Sequence, residues 1–114
     1  MIIKKGEKVH IITRRLFEGD LRRHFVGEVL EAEGTTARVE GYTFIFDSTQ
    51  NDFVRKQGER IRLFDLAQSG FIACIIPSNV VLHDLRYQLS HQKTLTMTDG
   101  KSYELDISEF GARR

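Results

Sequence analysis

The 114-residue chain contains no tryptophan, one proline and one cysteine. A single cysteine excludes an internal disulfide and any zinc site built from several cysteines. No apolar run approaches the ~20 residues of a membrane span. The first residues, Met1-Ile2-Ile3-Lys4-Lys5-Gly6, lack the apolar stretch of a secretory signal. The expected location is therefore the cytoplasm, without a membrane partner. An excess of one charge is also missing: 17 basic and 16 acidic residues leave a net charge of +1. Bulk charge alone does not hold such a protein to nucleic acid, although a local basic patch remains open.

Catalytic motifs are just as scarce. There is no G-x-S-x-G turn, no G-x-x-x-x-G-K loop and no strand–G-x-G-x-x-G–helix unit. His10, His24, His83 and His91 are far apart and share no ligand spacing. Asp47 and Asp52 share a polar loop, and Asp106 and Glu109 share the C-terminal segment; both pairs read as solvated loop carboxylates. Cys74 lies in the apolar run Phe71-Ile72-Ala73-Cys74-Ile75-Ile76 and reads as a buried thiol. These residues point to a protein that is not an enzyme and carries no cofactor or metal.

What the chain does have is eight phenylalanines, three tyrosines and short β-type runs between glycine-containing turns. The length fits a single domain over residues 1–114. Strands are expected from Lys8 to Phe17, Phe25 to Glu31, Thr35 to Asp47, Arg60 to Leu66 and Phe71 to Ile76. A three-residue loop, Ala32-Glu33-Gly34, with Gly34 left-handed, pairs Val29 with Ala37 and Gly27 with Val39. It sets Glu28 against Arg38 and gathers Phe25, Gly27, Val29, Ala37, Val39 and Gly41 on one face. Gly27 and Gly41 mark a sharp bend in a long strand; in the alternative, Gly41 turns the chain and Tyr42 to Asp47 form a separate strand. Tyr42, Phe44 and Phe46 have core spacing. Phe53 and Val54 pin the polar loop from Asp47 to Gly58 or make a short edge strand.

The run Phe71 to Ile76 is apolar throughout, as in a strand buried on both faces. It points to an extra layer or a subunit contact, and so to a homo-oligomer. After Pro77, Ser78 can cap a short helix through Leu85. A final hairpin with a Thr98-Asp99-Gly100 loop pairs Met97 with Lys101 and Leu95 with Tyr103. Residues 8–76 thus form the barrel core, and 77–114 add the short helix and hairpin.

The basic residues Arg14, Arg15, Arg22, Arg23, Arg55 and Lys56 lie near loops of this all-β domain. On one rim they can neutralise phosphates and stack on bases; the plainer reading is a solvated rim balanced by Glu18, Asp20 and Glu59.

The stretch from Phe25 to Gly41, Phe-Val-Gly-Glu-Val-Leu-Glu-Ala-Glu-Gly-Thr-Thr-Ala-Arg-Val-Glu-Gly, resembles the central strands of SH3-like barrels, and most of all the Sm-like family. The likeness spans Lys8 to about Ile76. It implies a small, strongly bent barrel and a ring-forming oligomer that binds single-stranded RNA. Ala32 and Thr35 stand near where the family's usual Asp and Asn would be. No Ile-Arg-Gly motif follows, so no RNA-contacting position carries over. The expected function is a non-catalytic binding module for RNA or another single-stranded nucleic acid. The alternative is a protein-interaction or scaffold module without nucleic acid.

Overall fold

The computed structural model describes residues 2–13, 23–47, 49, 52–68, 70–89 and 94–107. It is mostly β, with two antiparallel sheets in two compact units, Met1–Ser78 and Asn79–Arg114. Among the described residues, no helix is long and apolar enough to cross a membrane.

The first unit holds β1 (Lys8–Thr13), β2 (Arg23–Glu33), β3 (Thr36–Asp47), β4 (Asp52–Arg55), β5 (Arg60–Asp65) and β6 (Phe71–Ile76). The sheet order is β4-β3-β2-β1-β6, with β5 also on β3. β1 ends at Thr13, and the rest of the strand expected to reach Phe17 lies outside the described residues. Alternate residues of β1 to β3 bury Val9, Ile11, Phe25, Val29, Ala37 and Val39 in one cluster, as the two-residue period of a strand requires. Phe64 and Phe71 pack against this cluster, with ring centroids 5.7 Å apart. The two ends of the sheet therefore approach through side chains. They do not hydrogen-bond as strands among the described residues, so a closed barrel is not found.

The β2–β3 hairpin departs from the expected register. Its turn has two residues, Gly34 and Thr35, and Glu33 pairs with Thr36, Ala32 with Ala37 and Glu31 with Arg38. A bulge between Val29 and Glu31 then shifts the ladder, so that Val29 meets Val39 and Gly27 meets Gly41. Gly34 is left-handed (φ 61°), at the first central position that two-residue hairpin turns favour. Arg38 consequently bonds Glu31 at 2.6 Å rather than Glu28; both side chains are largely exposed, and such pairs contribute at most about 1 kcal/mol. The core face keeps its expected membership because the register beyond the bulge differs by two residues, which preserves the strand's parity.

β3 is one continuous strand through Gly41, not two strands with a turn there. Its edge away from β2 changes partner along its length: Thr36–Gly41 pair with β5, and Phe44–Asp47 with β4. At the changeover Gly41 lies against β2 so closely that a Cβ there would overlap the Val26 carbonyl oxygen and stand 2.5 Å from Gly27 Cα. A Cβ on Gly27 would meet the Glu40 carbonyl oxygen at 2.6 Å. Beyond Gly41, Phe44 is buried, while Tyr42 and Phe46 are only half-buried.

β6 is not buried on both faces. Among the described residues it pairs only with β1, at the end of the sheet. Ile75 is 54% exposed, and Cys74 is half-buried rather than enclosed.

The second unit contains β7 (Arg86–Leu89), β8 (Leu95–Thr98) and β9 (Glu104–Asp106) in one sheet. The expected helix from Ser78 is reduced to a 3₁₀ turn, Leu82–Asp84, preceded by Val81 without a side-chain cap. The β-branched Val80 and Val81 are indifferent helix formers. The hairpin loop is longer than expected: Thr98 pairs with Glu104 and Met97 with Leu105. The Asp99 carboxylate organises this loop. Its Oδ1 accepts the backbone N–H groups of Lys101, Ser102 and Tyr103 at 2.8, 3.1 and 3.0 Å. Bonds from Tyr103, Lys101 and Ser102 hold its carboxyl below the usual range. Gly100 is left-handed, as expected.

A side chain at Gly41 has nowhere to go. Gly41→Ala should lower unfolding stability by about 3 kcal/mol, the upper range for overpacking, measured by urea denaturation. A loss below about 1 kcal/mol would contradict the close approach of β2 and β3.

Candidate functional site

Of the six basic residues singled out from the sequence, three are described: Arg23, Arg55 and Lys56. Arg14, Arg15 and Arg22 lie outside the described residues. Arg23 is exposed at the start of β2, opposite Ile45, which in turn faces Val54. Arg55 faces Phe44, which faces His24. Residues opposite one another in a ladder share a face, so Arg23 and Arg55 sit on opposite faces of the sheet.

A different basic group forms around the β4–β5 connection. The Arg55 guanidinium lies 4.9 Å from the centroid of the Tyr42 ring, a cation–π distance. Lys56 is exposed, and its backbone N–H donates to the Thr43 carbonyl at 2.8 Å, which ties the connection to β3. Arg60 then pairs with Gly41 and Arg62 with Val39, two residues apart on one face of β5. Lys56, Arg60 and Arg62 make no ion pair among the described residues. Arg55, Lys56, Arg60 and Arg62 thus fall within eight residues at the border of the sheet, but on two faces: Arg60 and Arg62 share the Val39 face with Arg23, while Arg55 and Tyr42 share the Phe44 face. Arg62 was not among the residues expected from sequence. The signal was present in its alternation with Arg60 along a strand.

The opposite character appears where β1, β2 and β4 carry His10, His24 and Phe53. His10 is fully buried and His24 is 6% exposed. His24 stacks on Phe53 with centroids 4.5 Å apart, and His10 meets His24 edge-on at 5.7 Å. Phe46 adds an edge contact to Phe53. Burial, and secondarily the neighbouring His24, push the His10 imidazole down to about 3 from its ordinary 6.5. It is therefore a neutral ring at physiological pH and packs as one. No group of three or more His, Cys, Asp or Glu side chains among the described residues could hold a metal ion. Both histidines serve the core here.

The remaining candidates have local roles. Asp47 Oδ1 accepts bonds from the Thr49 N–H and hydroxyl at 2.9 and 2.7 Å. Asp52 Oδ1 accepts the Phe53 N–H at 2.7 Å. These are turn contacts of the Asx kind, not an acid/base couple. Asp106 pairs with Thr96 in the second sheet, and Glu109 lies outside the described residues. His83 is exposed beside Asp84, and His91 lies outside the described residues.

No protein-family model, curated protein or solved structure matches this chain.

Because His10 is neutral when folded, the unfolded chain binds the extra proton below pH 6.5. Its contribution to stability is fully present above about 6.5 and is lost as pH falls toward 3, at up to ~1.4 kcal/mol per pH unit. His10→Phe should flatten this acid limb, read as a smaller difference between urea midpoints at about pH 7 and pH 4.5. Parallel acid limbs in the two proteins would show that His10 carries no such linkage.

Proposed function

We propose that the chain is a non-catalytic binding module that holds the sugar-phosphate backbone of single-stranded nucleic acid along the β4–β5 border. The observation that carries this reading is the basic group there: Lys56, Arg60 and Arg62 have no ion pair among the described residues, and Arg55 lies over Tyr42. A strand of nucleic acid that follows this border meets Arg60 and Arg62 from one face and Arg55 beside the half-buried Tyr42 ring from the other, cations that can neutralise its phosphates. A net charge near zero fits a localised contact of a few phosphates better than wrapping of a duplex.

The resemblance to SH3-like and Sm-like barrels belongs to the same proposal. It draws support from the long β3 that passes through the close contact at Gly41 and from the meeting of Phe64 with Phe71. Oligomeric assembly and a cytoplasmic location complete it. A second reading, a protein-interaction module, is favoured by Ile61 and Leu63 on β5, which are 53% and 65% exposed. Apolar residues placed this way suit a protein partner.

Fluorescence anisotropy with a labelled single-stranded RNA oligonucleotide separates the two. Four backbone contacts predict a slope of log K against log salt of roughly −3, from about 0.7 per phosphate. The double variant Arg60→Ala, Arg62→Ala should weaken binding at least tenfold and reduce that slope by about 1.4. No binding at low salt, or binding indifferent to salt, would favour the protein-interaction reading.

A further inference from the structure

Three strands of the first unit have an edge without a strand partner among the described residues: β4, β5 and β6. Natural sheets keep such edges from associating by placing charges on them. β4 carries Asp52 and Arg55, and β5 carries Arg60, Arg62 and Asp65. The edge strands of the second sheet follow the same rule, with Arg86 on β7 and Glu104 and Asp106 on β9. β6, Phe-Ile-Ala-Cys-Ile-Ile, carries none. Nor are its apolar residues hidden: Ala73 and Ile75 share the face of Ile11 and Val9, yet at this outer strand Ala73 is exposed and Ile75 is 54% exposed.

We infer that β6 is a dimerisation edge that pairs antiparallel with β6 of a second copy of this chain. The choice of occupant rests on the strand itself. It presents no charge with which to select a different partner, and its own sequence is a suitable complement. A two-fold axis normal to the joined sheet keeps every side chain on its own face, and residues opposite in a ladder share a face. Only residues of equal parity can then meet. Centring the axis on Cys74 places Ile72 opposite Ile76 of the second copy, Ala73 opposite Ile75, and Cys74 opposite Cys74. The small Ala73 thereby accommodates the larger Ile75. Centring on Ile75 would set Pro77, which has no N–H to donate, opposite Ala73. Centring on Ala73 would set two alanines together and leave a gap between the chains. The resulting sheet continues from β1 of one copy through both β6 strands to β1 of the other.

The test uses the full chain at tens of micromolar. Size-exclusion chromatography with light scattering should give a dimer. A mild oxidant should trap that dimer through Cys74, the only cysteine, and Cys74→Ser should remain dimeric without being trapped. Ile75→Lys alters an already exposed position, so it should keep the wild-type circular dichroism spectrum and elute as a monomer. A wild-type monomer, a dimer that persists in folded Ile75→Lys, or a dimer that Cys74 cannot trap each overturns the inference. A ring of more than two copies overturns it as well.

Discussion

The close approach of two backbones at Gly27 and Gly41 governs the first unit. With no Cβ on either strand, β2 and β3 come nearer there than side chains would allow. At this point the 12-residue β3 changes partner, with β5 on its first half and β4 on its second. Phe64 of β5 and Phe71 of β6 meet over the core. The changeover also places the arginines, since Arg60 stands opposite Gly41 on one face and Arg55 opposite Phe44 on the other. The entropic cost of glycine within a strand is offset by a geometry that no other residue can supply.

Charge is distributed along the strand edges according to what each edge does. Arginines and carboxylates lie on β4 and β5, where charge discourages pairing with other chains. β6 departs from this pattern. The buried histidines show a third use of polar residues: with His10 neutral and His24 stacked on Phe53, two titratable rings act as core aromatics. Burial holds His10 in its neutral form, so its ring packs as an apolar aromatic does.

Much of the core was legible in the sequence because side-chain parity survives errors of register. Phe25, Val29, Ala37 and Val39 share a buried face even though the hairpin turn is one residue shorter and a bulge intervenes. The bulge was not legible, since nothing in Val29-Leu30-Glu31 marks an extra residue. The left-handed Gly34 and Gly100 were legible, but loop lengths were not: Asp99 gathers three backbone N–H groups and lengthens its loop. An all-apolar run does not say whether its strand is central or terminal, so β6 was expected to be enclosed. Among the basic residues, Arg55 and Lys56 stood out in the sequence as a dipeptide in a polar loop. The placement of Arg60 and Arg62 near them depends on β5 pairing with β3, a contact between distant parts of the chain. The pleat sets Arg23 on the face of Arg60 and Arg62 and turns Arg55 to the other, which no local pattern announces.

A binding border on β4–β5, distinct from the histidine core and from the β6 edge, is the central claim. The most direct measurement is a titration of isotope-labelled protein with a short single-stranded RNA, followed residue by residue in amide NMR spectra. The account predicts progressive shifts at Tyr42, Arg55, Lys56, Arg60 and Arg62, and unchanged signals for His10 and for Phe71 to Ile76. Silence at the arginines, or shifts confined to β6, would contradict it.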